Sequence, residues 1–183
     1  MLSVDSAAQD QISIRFAEGP EDILQACRLR YMVLTEELGR RQYANDSHGT
    51  YSDKLDDGSS RIVLALCNGT AVGTLRFTSR RDTTLLDEDE LLFSTRIAEH
   101  ELEECALADR GAIHPAYRKQ GLYPKLWQYG LDDLKERGIR WVFGVIDGDN
   151  SRLNEFHKEQ GWLFLQYHVT EGDHSWNLIV KEL

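Results

Sequence analysis

The chain has little of what would staple it or bury it in a bilayer. Of 183 residues only three are cysteine and three are proline. Cys27, Cys67 and Cys105 are odd in number, widely spaced and set in apolar segments, which excludes a disulfide framework and the paired spacing of a zinc site. They read as small buried hydrophobes. The scarcity of proline, with no low-complexity tract or repeat, leaves no linker, so a single domain over residues 1–183 is expected. No apolar run approaches the length of a membrane span. The first residues, MLSVDSAAQDQ, lack the basic start and apolar core of a signal peptide, so the cytosol is the expected compartment. Positive charge is also in deficit, with 21 Lys and Arg against 31 Asp and Glu and a net charge of −10. That balance argues against nucleic acid and anionic membrane as partners and is compatible with a cationic amine substrate.

What is present is patterned. Ile12, Ile14 and Phe16 alternate with polar residues and predict a strand. Gly19-Pro20-Glu21-Asp22 opens a helix, with proline and acids in the first turn, and Ile23, Cys27, Tyr31, Leu34 and Leu38 give it one apolar stripe ending at Gly39. Residues 40–60 are polar and turn-rich, long enough for a functional loop. Strands are predicted at 61–67 and 71–78, joined by a hairpin at Asn68-Gly69. The acidic segment 79–105 has no clear period. A strand at 107–113 leads through a loop to a helix carrying Leu122, Leu126, Gly130 and Leu134. Then come an apolar strand at 141–146, a helix carrying Leu153 and Phe156, and closing strands at 162–169 and 176–180 with a turn around Gly172. The fold class is α/β (α+β), a central mixed twisted sheet of about seven strands flanked by helices.

The stretch that organises the rest is 107–126. After His114-Pro115 comes a basic, glycine-containing loop, Arg118-Lys119-Gln120-Gly121, and then a helix with Pro124 in its first turn. The first amides of a helix have no intrahelical partner and carry the positive end of its dipole, so a cationic loop at that point suits an anion such as a pyrophosphate. The spacing is neither that of a P-loop nor that of a dinucleotide fold.

It resembles the acyl-CoA loop of the GNAT acyltransferase superfamily, Gln/Arg-x-x-Gly-x-Gly/Ala, read here as Arg118-Lys119-Gln120-Gly121-Leu122-Tyr123, with Tyr123 in place of the small residue. The element order is also that of a GNAT domain. The resemblance implies acyl transfer from a pantetheine thioester, on acyl-CoA or acyl-phosphopantetheine, to a small-molecule primary amine, with no metal. It puts Ile113 at the oxyanion as a main-chain donor and in contact with the cofactor, along with Arg118, Lys119, Gln120, Gly121, Leu122 and Tyr123. The run Asn150 to Trp162 matches the superfamily's Asn-x-x-Ala-x-x-Leu-Tyr-x-x-x-Gly-Phe. This sets Asn150 by the cofactor and His157 where a tyrosine protonates the departing thiolate. An imidazole can do that work, since its pKa lies near working pH; a solvent-facing surface histidine is the other reading. For the amine's base Asp109 and Glu37 are candidates, Asp109 being equally suited to an ion pair with its neighbour Arg110.

A second resemblance covers the first half. Residues 30–39, RYMVLTEELG, look like the opening of acyl-homoserine-lactone synthases and related N-acyl amino acid synthases. Tyr51 to Asp57 resembles their acidic loop, and Gly73-Thr74-Leu75-Arg76-Phe77 resembles their Gly-Thr-x-Arg-Leu strand. This implies acceptor and acyl roles for Arg30, Asp53, Asp56, Arg76 and Arg110, and an acyl carrier protein as a possible donor, met by a basic patch of Arg40, Arg41, Arg118, Lys119 and Lys125. Arg40 stands where these synthases favour tryptophan. The rivals are an acetyl-CoA-dependent amine acetyltransferase and a catalytically silent acyl-CoA-binding sensor.

Overall fold

The computed structural model describes residues 11–83, 99–171 and 174–183. A seven-stranded mixed sheet runs in the order β1-β4-β5-β6-β7-β9-β8. Its strands are β1 (Ile12–Phe16), β4 (Arg61–Cys67), β5 (Thr70–Ser79), β6 (Cys105–Ile113), β7 (Trp141–Asp147), β8 (Leu163–Glu171) and β9 (His174–Glu182). Neighbours are antiparallel except β6 and β7. The β4–β5 turn is the expected one: Asn68 and Gly69 both take positive φ, 51° and 80°, as a two-residue hairpin requires.

Alternation along β4 sorts the two faces. Ile62, Leu64 and Leu66 pack with Ala26, Leu29, Val33 and Leu34 of the first helix, α1 (Pro20–Arg30), and its extension. Val63, Ala65 and Cys67 pack with Leu122, Leu126, Trp127 and Leu134 of α2 (Leu122–Glu136). The third helix, α3 (Ser151–Glu159), adds Leu153 and Phe156 to that second face. Gly130 lets α2 lie directly on β5, because a Cβ there would fall 2.0 Å from the Phe77 ring. The three cysteines are buried and form no disulfide.

The structure departs from the expected first helix. After Arg30 the turns widen into a π-helix, Tyr31–Glu37, in which Leu38 N–H donates to Val33 five residues back. The wider turn shifts the phase, so Val33, Leu34 and Thr35 face inward while Leu38 is 42% exposed. The segment expected to be a structureless loop contains a two-rung hairpin, β2 (Ala44–Asn45) with β3 (Thr50–Tyr51), and a short 3-10 turn at Lys54–Asp56. Within the periodless insert, a 3-10 turn at Glu99–Glu104 is described, while residues 84–98 and the turn at 172–173 lie outside the described residues.

Candidate active site

The parallel pair β6 and β7 runs together only from Cys105↔Trp141 to Ala108↔Gly144. Beyond that, β6 continues to Ile113 and β7 to Asp147 without pairing, and the sheet opens as a V. A bulge accompanies the opening. Thr74 pairs with Ala112 and Arg76 with Asp109, so Leu75 faces two residues, Arg110 and Gly111. Arg110 takes a φ of 56°, uncommon for a non-glycine residue, and the extra residue brings Asp109 and Arg110 to the same face. His114 N–H donates to Val72 O on β5. By strand alternation the N–H group of Ile113 therefore faces away from β5, into the V.

The loop expected to hold phosphate lies at this mouth. His114 caps the short turn Pro115–Tyr117 through Nδ1, and Gln120 donates to Ala116 O at 3.1 Å. Lys119 and Gly121 adopt positive φ, 64° and 72°, bending the chain so that α2 starts at Leu122 with no side-chain cap. The first amides of α2 are left for an external acceptor. Tyr123, the departure from the superfamily loop, turns its ring inward against Trp127, Phe156 and His157. Its bulk is spent in the core and not over the loop.

Arg118 is already engaged. Its Nε donates to Ile113 O, and its terminal nitrogens hold Glu37 at 2.6 and 2.5 Å. The hydrogen bonds from Arg118 hold the Glu37 carboxyl below its ordinary range, which makes Glu37 a weak base. Asp109 is likewise in a bidentate pair, at 2.8 and 2.7 Å from Arg76.

On the α1 face the acidic loop and three arginines interlock. Arg76 has no exposure and binds Asp53 at 2.5 and 2.9 Å as well as Asp109 and Asp56. Arg110 binds the other side of Asp53 at 2.7 Å and lies 4.1 Å over the Tyr43 ring. Arg30, also unexposed, binds Asp56 at 2.6 Å. Burial pushes Asp53 upward, but Arg76 and Arg110 outweigh it and hold its carboxyl well below the usual carboxylate range. So Arg30, Asp53, Asp56, Arg76, Asp109 and Arg110, singled out separately in the sequence, meet in one cluster. Nearby, Arg40 reaches Asp147 at the end of β7, 2.9 Å away, and stacks on Trp176 at 4.2 Å.

Two expected residues have different surroundings from those the sequence offered. Asn150 spends its side chain capping α3, accepting from Leu153 N–H. His157 is neither solvent-facing nor open to the V. It has no exposure and is ringed by Tyr123, Trp127, Phe156 and Trp162. Burial, with a smaller effect from Lys181, pushes its pKa down to about 4. Of the five residues of the expected basic patch, Arg40, Arg41 and Arg118 are ion-paired to Asp147, Asp46 and Glu37, while Lys119 and Lys125 are exposed. Tyr43, Tyr51 and Trp176, whose rings lie under Arg110 and Arg40, were not expected beside the site, because cation–π partners leave no spacing signal. Among the described residues no cluster of His, Cys, Asp and Glu is arranged to hold a metal, and no helix is long and apolar enough to cross a membrane.

The model of the acetyltransferase (GNAT) family matches residues 26–162, from α1 to the end of the α3 motif. The chain belongs to the GNAT family. It is an acyltransferase of this class, and GNAT enzymes use acyl-CoA. No curated protein gives a significant sequence match. Among solved structures, the fold is similar to BjaI, a CoA-dependent acyl-homoserine lactone synthase solved with SAM and isopentyl-CoA (TM-score 0.71, 18% identity, covering 88% of this chain and 76% of that one). It is similar also to the acyl-homoserine lactone synthase LasI (0.73, 14%, 95% and 91%) and to Escherichia coli ElaA (0.66, 15%, 94% and 100%). At such identities these likenesses concern the fold.

Proposed function

We propose that this GNAT enzyme moves an acyl group from a pantetheine thioester to the primary amine of an amino acid or related metabolite. The observation that carries the reading is the uncapped N-terminus of α2, set behind Arg118 to Gly121 at the mouth of the V. It offers amides to a phosphate where the thioester arm can lie along the free edge of β6. The Ile113 N–H, facing that gap, supports its assignment as the oxyanion donor. Arg110 and Arg40 act together on Tyr51, countering the upward push of burial on its phenol, and a field of that sign suits an acceptor bearing a carboxylate. The acidic cluster is internally paired and serves to fix Arg110 and the wall of this pocket. The test is a mass-spectrometric screen of acyl-CoA and acyl-carrier thioesters against amines with and without a carboxylate. Acylated amino acids are the expected products, and the absence of any product would favour a silent acyl-CoA-binding module.

A second feature bears on the donor. The first half of the chain resembles the acyl-homoserine-lactone synthases, and BjaI and LasI share the fold. This supports a donor longer than acetyl, on CoA or on a carrier protein docked at Lys119 and Lys125. The same screen decides it: a clear preference for acetyl-CoA would make the protein a plain amine acetyltransferase.

A further inference from the structure

Tyr123 and His157 come from different helices and meet with Oη 3.0 Å from Nε2. The other ring nitrogen, Nδ1, is buried with no partner. Buried N–H groups are left without a partner more rarely than buried acceptors are. The tautomer that avoids an orphaned N–H carries the proton on Nε2 and donates it to Tyr123. The Tyr123 oxygen is then an acceptor toward His157, and its own hydrogen is free to point elsewhere. The ring lies beside the V. A Cβ on Gly111 would be 3.6 Å from Tyr123 Cε2, and Gly111 belongs to the part of β6 that does not pair with β7, two residues before Ile113. Tyr123 is half-buried where His157 is wholly enclosed.

We propose that Tyr123 is the catalytic acid that protonates the departing thiolate, and that His157 is a positioning residue acting through it. This rests on the acyltransferase reading above. The amine nitrogen forms the new C–N bond, the C–S bond breaks with its electron pair going to sulfur, and the Tyr123 proton moves to sulfur to give the thiol. His157 Nε2–H holds the phenolate until the proton shed by the amine nitrogen restores the phenol. The neutral state of His157 fits this task, since it is needed as a hydrogen-bond donor and not as an acid.

The experiment compares kcat and KM for an acyl-CoA and for the same acyl group on thiophenol, whose acidic thiol departs without a proton. Tyr123→Phe is expected to lower kcat on acyl-CoA about a hundredfold or more, to move the donor KM little, and to act almost as wild type on the thiophenyl ester. His157→Gln, whose amide can supply the same donor, is expected to retain most of the activity that His157→Leu loses. An equal loss on both donors would assign Tyr123 a structural role and overturn the proposal. So would a Tyr123→Phe enzyme within about threefold of wild type on acyl-CoA. Equal inactivity of His157→Gln and His157→Leu, with Tyr123→Phe mild, would return the acid to His157. If wild type transfers from neither donor to any amine, the acyltransferase reading fails and takes the proposal with it.

Discussion

Arg76 grips Asp53 with both terminal nitrogens, at 2.5 and 2.9 Å, from a side chain that no solvent reaches. The pair ties the acidic loop to the middle of the sheet beside the point where β6 leaves β7. Arg76→Met strands Asp53, Asp56 and Asp109 without their shared cation, and breaking a buried pair from one side costs about 3–5 kcal/mol. Urea unfolding should show a loss of that size. Arg41→Ala, which removes the exposed pair with Asp46, should leave the midpoint unmoved.

Acid should weaken the fold through His157 before it reaches the carboxylates. Its pKa falls from 6.5 to about 4 on folding. Below pH 6.5 the unfolded chain takes up a proton that the native ring refuses, so stability is full above 6.5 and is lost as pH falls toward 4. The shift corresponds to about 3 kcal/mol. In His157→Leu this part of the slope should vanish, as urea midpoints measured above and within that window would show.

Two glycines should respond oppositely to the usual expectation for helices. Gly130→Ala puts a methyl group in the middle of α2, a change that favours a free helix by about 1 kcal/mol. Here the methyl meets Phe77 at 2.0 Å, and overpacking of this kind costs about 1–3 kcal/mol. Gly121→Ala meets open space but must hold a φ of 72°, so it should lose about 1 kcal/mol and weaken donor binding as the loop relaxes. Melting curves and donor KM values separate the two effects.

Arg118→Ala should raise the donor KM far more than the acceptor KM. Glu37→Gln should move the donor KM in the other direction, because it removes the anion that occupies Arg118. A large fall in kcat for Glu37→Gln at unchanged KM would instead make Glu37 the amine's base.

Much of this architecture was legible because its causes are local. Period-two runs gave the strands, Asn68-Gly69 gave the hairpin, and the loop at Arg118 to Gly121 announced an anion site through glycine, charge and the helix start that follows. The widened turns at Tyr31–Glu37 were not legible, since an apolar stripe at Ile23, Cys27, Tyr31, Leu34 and Leu38 fits an unbroken α-helix equally well. Asp53, Asp56, Arg76 and Asp109 each stood out, but their mutual pairing depends on the bulge at Arg110, a property of the β5–β6 register that neither strand encodes alone. His157 stands at the tyrosine position, yet its burial and its bond to Tyr123 arise from how α2 and α3 cross, the two residues being 34 positions apart in sequence.

Arg118 does not wait for its ligand with an empty hand. If the donor's phosphate takes Arg118 as proposed, it displaces Glu37, and entry becomes an exchange of one carboxylate for one phosphate. Such a swap sheds few counterions, and donor affinity should therefore fade only gently as salt rises. Glu37 lies three residues before Arg40, whose other end is anchored at Asp147 across the V. Displacing Glu37 would then release one of the two ion pairs that hold residues 37–40. The kinetic signature expected of such an exchange is ordered binding, donor before amine.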